Sequence, residues 1–325
     1  MPPTKVIFDT DPGVDDAMAL LFLHLHPAID LVGVTTVLGN ATIEQTTFNA
    51  LYLKQRFAIP APVARGAGQP LLRNADKPPY FVHGHNGLGD IALPEQLAVA
   101  AIEQTAHRFI IDTVRQNPHQ ITIVAVGRMT NLALALREAP DIAGLVREVV
   151  IMGGGFGRNG AGRHSTGGNV TPVAEANIHG DPEAADLMFG AAWPITVVGL
   201  DVTLQVRMDD AYLAVLRDQG GEAGRFIWDI SRFYTAFYSA RAGIEGCFVH
   251  DSSAVAYLID RSLFRTERGG IRVVSGGIAD GQTILAPEGQ SFAPGAWDGR
   301  PVHSVCFGVD APAVLDLYRR TIIGT

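Results

Sequence analysis

The chain has 325 residues, 47% of them hydrophobic and 18% charged, with a formal charge of −8 at pH 7; it is long and apolar enough to bury a large core. No Lys/Arg run offers a footprint to a phosphate backbone or an anionic bilayer, which argues against nucleic acid as a partner. No apolar run approaches the ~20 residues of a membrane span, and "MPPTKVIFD" lacks the regions of a signal peptide, so the expectation is a cytoplasmic protein without a membrane partner.

In chain order, "KVIFD" (5–9) reads as a strand and 14–26 as a helix. "DLVGVTTV" (30–37) follows as a strand, 42–57 as a helix and "APVARG" (61–66) as a strand. The segment 65–90, "RGAGQPLLRNADKPPYFVHGHNGLGD", has little periodicity and is rich in Gly, Pro and Asn; a loop of that length inside a compact domain is usually functional. Helices are expected at 100–117 and 130–138 around the strand "ITIVAVG" (121–127). Strands "EVVIMGGG" (148–155) and "PITVVGLDV" (194–202) then alternate with helices at 181–190 and 222–240. Runs that are continuously apolar suit strands buried on both faces. The expected fold is α/β: one domain, 1–325, with a doubly wound, mostly parallel sheet flanked by helices. Cys247 and Cys306 are too few for a disulfide framework and read as core residues.

Such folds bind ligands beyond the carboxyl ends of their strands. Asp9, Asp11, Asp15 and Asp16 fall there after the first strand, and Asn40 after the second. "GRMTN" (127–131) and "GGGFGRNG" (153–160) follow later strands. Converging carboxylates repel one another unless a cation neutralises them, and all-oxygen donors select a hard ion such as Ca²⁺ or Mg²⁺. The alternative is helix capping by Asp9 and Asp11, with Asp15 and Asp16 complementing the helix dipole. "GFGRNG" (155–160) matches a dinucleotide fingerprint in form, but no helix pattern follows it, so it reads as a loop. "GNVTPVAEANIHGDPEAADLMF" (168–189) offers Asn169, Glu175 and Asn177 ahead of a helix capped at Asp181; amides and carboxylates suit a polyhydroxylated ligand. In "FVHDSSAVAYLI" (248–259), Asp251 reads as an N-cap with His250 beside it, and His83 and His85 in the long loop are ambiguous.

The stretches "FDTDPGVDDAMAL", "VTTVLGN", "VIMGGG", "GNVTPVAEANIHGDPEAA" and "VHDSSAVAYLI", in this order over most of the chain, closely resemble the inosine/uridine-type nucleoside hydrolases. The resemblance implies hydrolysis of the N-glycosidic bond of ribonucleosides to ribose and free base, in nucleoside salvage, with a bound Ca²⁺. It makes Asp11, Asp15, Asp16 and Asp251, with the main-chain carbonyl of Val126, the calcium ligands. Asp11 becomes the base toward a metal-bound water, and His250 the acid toward the leaving base. Asn40, Asn169, Glu175 and Asn177 would hold ribose hydroxyls, His83 would lie near the base, and Tyr234 and Tyr238 would line its pocket. Ala176 departs from the aromatic usual between the Glu and Asn of this motif, which alters packing at the sugar's 5′ end. His250, where a purine-specific subgroup relies on aromatic stacking, favours a non-specific or pyrimidine-preferring enzyme. The expected assembly is a homodimer or homotetramer. Two rivals differ in class: an Asp-x-Asp phosphatase using Asp9 and Asp11 with Mg²⁺, although Gly13 stands where that family has Thr or Val, and a non-catalytic ribose-binding protein.

Overall fold

Strand β1 (Thr4–Thr10) shows how the chain is built. Val6 and Phe8 enter one apolar core while Ile7 enters a second on the opposite face. A strand covered on both faces needs apolar side chains at successive positions, hence the unbroken runs in the sequence. The computed structural model describes residues 2–158 and 167–324. The further strands are β2 (Ile29–Thr36), β3 (Val63–Ala64), β4 (Ile121–Ala125), β5 (Glu148–Met152), β6 (Ile195–Val198), β7 (Arg207–Met208), β8 (Cys247–Phe248), β9 (Phe264–Val273), β10 (Thr283–Pro287) and β11 (Val302–Val309).

Among the described residues nine strands form one sheet, in the order β10-β9-β11-β6-β5-β4-β1-β2-β3, and β7 pairs with β8 apart from it. All pairings from β3 across to β11 are parallel. Only β9 runs antiparallel, between β10 and β11. One core holds buried residues of helices Val14–Leu25, Gly221–Ala242, His250–Ile259 and Ala311–Ile323; the other holds those of Ala106–Gln116, Thr130–Glu138 and Pro182–Phe189. This is the doubly wound, mostly parallel α/β fold expected. From β1 the chain winds outward through β2 to β3, then returns to place β4 on the other side of β1. The crevice at that reversal, between the carboxyl ends of β1 and β4, is where such sheets bind ligands.

The structure departs from the sequence reading in places. The strand at 61–66 is only two residues long, Val63–Ala64. The helix expected from 100 starts at Ala106, because Ile102 first bridges to Ala64 beside β3. The 65–90 loop contains the short helix Tyr80–His83. Strands β9 to β11 carried no signal, since β9 is polar and largely exposed along its first half. Cys247 and Cys306 are buried and unpaired, as expected. The "GFGRNG" stretch does run as a loop through Arg158; its last two residues lie outside the described ones.

Candidate functional site

The turn from β1 into helix Val14–Leu25 is organised by Asp16. Its carboxylate accepts the Thr10 hydroxyl at 2.6 Å, the backbone N–H of Asp11 at 3.2 Å and of Gly13 at 3.0 Å, and the Asn40 side-chain amide at 2.8 Å. Gly13, not an aspartate, occupies the N-cap, so the capping role considered for Asp9 and Asp11 does not arise. Asp9 is turned away from the others: its Oδ1 accepts from Thr35 at 2.5 Å and from Asn131 at 2.8 Å, and burial lifts its pKa to about 7. Asn131 of "GRMTN" is likewise spent on Asp9 and the Thr36 carbonyl.

A fourth acid comes instead from the far end of the chain. The β7–β8 ribbon leads into helix His250–Ile259, whose N-cap is Val249, so Asp251 sits inside the first turn rather than capping it. Oxygens of Asp15, Asp16 and Asp251 lie within 4.8 Å of one another, all three residues being buried. Asp11 stands beside them with Oδ2 bonded to Asn40 N at 2.7 Å. Asp11 Oδ1 and Asp15 Oδ1 are buried without a hydrogen-bond partner among the described residues. Burial raises the pKa of all four, and repulsion from Asp16 adds to the rise at Asp11 and Asp15. Buried carboxylates with unpartnered oxygens are costly unless protonated or matched by positive charge. An oxygen-only donor set of this kind fits a hard divalent cation such as Ca²⁺. The Val126 carbonyl, just past β4, accepts the Asn177 amide at 2.7 Å and keeps a second lone pair. Two glycines wrap Asp11: a Cβ at Gly39 would fall 1.8 Å from Oδ2, and one at Gly127 would fall 2.6 Å from Oδ1.

Asp11, Asp15, Asn40, His83, Val126, Asn169, Glu175, Asn177, Tyr234, Tyr238, His250 and Asp251 all line one cavity of about 870 Å³; Asp16 lies beneath it. Glu175 caps the short helix Ala176–Gly180, accepting Asn177 N at 2.9 Å and Ile178 N at 3.1 Å, and also takes Gly154 N at 2.8 Å. Asn169 Oδ1 accepts Ala176 N at 3.0 Å, and its amide N–H groups have no partner among the described residues. Asp181 caps the next helix as expected, accepting Ala184 N at 3.1 Å.

His250 is held at both nitrogens: Nδ1 lies 2.8 Å from Thr203 Oγ1 and Nε2 lies 2.9 Å from the Tyr238 hydroxyl. From Tyr238 the chain of contacts continues to Tyr234 at 3.2 Å, whose hydroxyl donates to Asp15 at 3.3 Å. Burial drops the His250 pKa to about 4. His83 stacks on Tyr234, accepts Val14 N at Nδ1 and lies 3.9 Å from Asp15; burial and the nearby His250 push its pKa to about 3. His85, by contrast, is exposed and stacks on Tyr80 outside the cavity. Thr203 and Arg128 were not singled out from the sequence. Thr203 ends "GLDVT" after β6, and Arg128 lies within "GRMTN", so position beyond a strand end was the available signal.

A central sheet with a buried acid cluster and an opposing histidine at its switch point defines an enzyme site. Residues 6–316 match the model of the inosine-uridine preferring nucleoside hydrolase family, and the chain belongs to that family. It is a nucleoside hydrolase acting on ribonucleosides. It is 38% identical over 319 residues to a probable uridine nucleosidase 2 of Oryza sativa subsp. japonica, covering 97% of this chain and 92% of that one. A plant nucleoside hydrolase structure superposes with a TM-score of 0.91 at 35% identity over 100% of both chains. A purine-preferring ribonucleoside hydrolase from Gardnerella vaginalis gives 0.89 at 34% identity over 98% of each. The phosphatase alternative finds no footing, because Asp9, its required partner to Asp11, is engaged with Thr35 and Asn131. No helix of the described residues is long and apolar enough to cross a membrane.

Proposed function

We propose that the enzyme breaks the C1′–N bond of ribonucleosides with Ca²⁺ bound, Asp11 as general base and His250 as leaving-group acid. One observation carries this reading: a single cavity sets the unpartnered oxygens of Asp11 and Asp15 against the His250–Tyr238 pair. Asp11, Asp15, Asp16, Asp251 and the Val126 carbonyl would hold the cation. Bound there, it would offset the clustered charge and make water at the site more acidic. Asp11 takes the proton from the attacking water as its oxygen adds to C1′. The glycosidic electron pair leaves with the base nitrogen, which receives a proton from His250. Thr203 holds Nδ1 and so keeps Nε2 toward the cavity. Protonation of the buried imidazole becomes favourable as negative charge develops on the departing base beside it.

Asn40, Asn169, Glu175 and Asn177 hold the ribose, while His83, Tyr234 and Tyr238 border the base. One relative is named for uridine and a structural neighbour for purines, which supports a non-specific enzyme that includes pyrimidines. The test is turnover of uridine, cytidine, inosine and adenosine with and without chelator. Activity should vanish on chelation and return with Ca²⁺, and Asp15→Ala should lose metal and activity together. Undiminished cleavage by metal-free protein refutes the mechanism.

A further inference from the structure

The glycine-rich turn "GGGFGR" (153–158) after β5 has no part in the mechanism above, yet its backbone is fully engaged. Four of its N–H groups are each taken by a side chain from elsewhere in the chain. Gly154 N donates to Glu175 Oε2 at 2.8 Å and Gly155 N to Thr283 Oγ1 at 3.0 Å, while Phe156 N and Arg158 N reach the Asp201 carboxylate at 2.7 and 2.6 Å. A turn that cradles an anionic ligand points such donors at the ligand. Here they are spent on buried side chains, so the turn seats residues of this chain instead. Of the three residues it holds, Glu175 lines the nucleoside cavity, and Thr283 and Asp201 stand behind it.

A carboxylate offers about four lone-pair sites. Asn177 N on Oε1, with Ile178 N and Gly154 N on Oε2, fill three of those of Glu175, which leaves one on Oε1 for a sugar hydroxyl. Of these donors, only Gly154 N lies outside the short helix that Glu175 caps. Thr283, the first residue of β10, sets where that N–H points. Its hydroxyl accepts Gly155 N and also donates to Gly155 O at 2.8 Å, so one side chain closes both polar groups of the residue next to Gly154. Gly154 itself takes φ +72°, open to glycine, and a Cβ there would meet Thr283 Cγ2 at 3.0 Å. Beside Thr283, Gln282 bridges antiparallel to Ala174, the residue before Glu175. The start of β10 therefore holds the carboxylate from two sides, through Gly155 and through Ala174.

We propose that Thr283 is a positioning residue of the ribose site: it fixes Gly155, and through it the Gly154 N–H that aims the Glu175 carboxylate at one sugar hydroxyl. The inference rests on the ribose role given to Glu175 above. The experiment measures kcat and KM for uridine and its 2′-, 3′- and 5′-deoxy analogues with the Ca²⁺-loaded enzyme. It compares the unmutated protein with Thr283→Val, Thr283→Ser, Glu175→Gln and the double variant of Thr283→Val with Glu175→Gln. Valine keeps the shape of threonine and deletes its hydroxyl. Thr283→Val should lower kcat/KM for uridine about 10- to 100-fold, up to the cost of a displacement near 1 Å, and Thr283→Ser should restore it. The penalty for removing one of the three hydroxyls should shrink in Thr283→Val, the same one that shrinks in Glu175→Gln, while the other two persist. The double variant should be no worse than Glu175→Gln alone. Thr283→Cys, of similar shape with a weaker donor, serves if Thr283→Val does not fold. An unchanged kcat/KM in Thr283→Val, no rescue by serine, losses that multiply in the double variant, or equal shifts in all three penalties overturns the inference and leaves the ribose role of Glu175 standing. A Glu175→Gln enzyme as active as the unmutated one, with every penalty intact, overturns that role and the inference with it.

Discussion

Gly39→Ala probes the base without removing a charged group. The added Cβ would sit 1.8 Å from Asp11 Oδ2 and 2.7 Å from its Cγ, where contacts below 3.0 Å are essentially never seen. The two groups must therefore part by about 1.2 Å, and neither side is free to yield. Asp11 N is bonded to Asp16 at 3.2 Å, Asn40 N to Asp11 Oδ2 at 2.7 Å and Gly39 N to Ala41 O at 3.1 Å. Overpacking of this kind costs roughly 1–3 kcal/mol, a modest fall in thermal midpoint. A displacement near 1 Å at a reacting group costs about 10²-fold in rate, so kcat/KM for uridine should fall by about that factor at saturating Ca²⁺ while the fold survives. Asp11→Ala supplies the control, since the double variant should be no worse than Asp11→Ala alone. Activity of Gly39→Ala within about threefold of the unmutated enzyme, or a double variant well below Asp11→Ala, would refute the argument that Gly39 exists to seat this carboxylate.

His250→Ala should reduce turnover of uridine by about 10²- to 10⁴-fold and largely spare nitrophenyl riboside, whose leaving group needs no proton; equal losses would remove the acid role. 2′-Deoxyuridine should be rejected by roughly 10⁴-fold in kcat/KM, with kcat falling as well as affinity, because buried polar groups are left unfilled; near-equal values for the two substrates would sink the hydroxyl clamp. Asp186 ties helix Pro182–Phe189 to β9, accepting Arg272 Nε at 2.8 Å, Val273 N at 3.0 Å and Arg300 Nη2 at 2.7 Å. Burial pushes its pKa up, but those hydrogen bonds outweigh burial and hold it below the ordinary value. A depressed carboxylate stabilises the fold above its unfolded pKa and loses that contribution as pH falls through the folded one. Asp186→Asn should thus cost about 1–3 kcal/mol in urea unfolding at pH 7, with the gap narrowing below pH ~4; a gap constant with pH contradicts the linkage.

The parallel part of the sheet was legible because burial on both faces writes itself as unbroken apolar runs, as in Ile121–Ala125 and Glu148–Met152, every residue of which is buried. The antiparallel extension was not. In β9 the four residues after Phe264 are exposed and include Arg265, Glu267 and Arg268, so neither continuity nor alternation marks the start of the strand. What attaches it is tertiary: Asp186 reaches across from a helix to Arg272 and Arg300. Ion pairs between residues so distant in sequence leave no local pattern to read.

At the site, residue type and position after a strand end pointed to Asp11, Asp15, Asp16 and Asn40, and a polar stretch ahead of a helix to Asn177, which the structure brings to or beside one cavity, whereas local reasoning alone misread Asp9 and Asp251. The two errors have one cause. Asp9 still lies within β1 and is held by Thr35 and Asn131, whereas Asp11 lies past the strand end, where the chain has turned toward the cavity, so two residues of spacing separate a structural acid from a cavity acid. Asp251 read as a cap because its neighbours suit a helix start, yet its partner acids lie some 240 positions earlier. Small side chains follow both sets of acids. Ser252, Ser253, Ala254 and Ala256 follow Asp251, Ala17 and Ala19 follow Asp16, and all are buried where the two helices share one core. Helices faced with small residues can approach closely, since interaxial distance follows the side chains at the contact. The run "SSAVA" after an acidic residue, set against "DDAMA" near the start of the chain, is therefore the sequence trace of two helices that converge their first turns on one buried charge cluster.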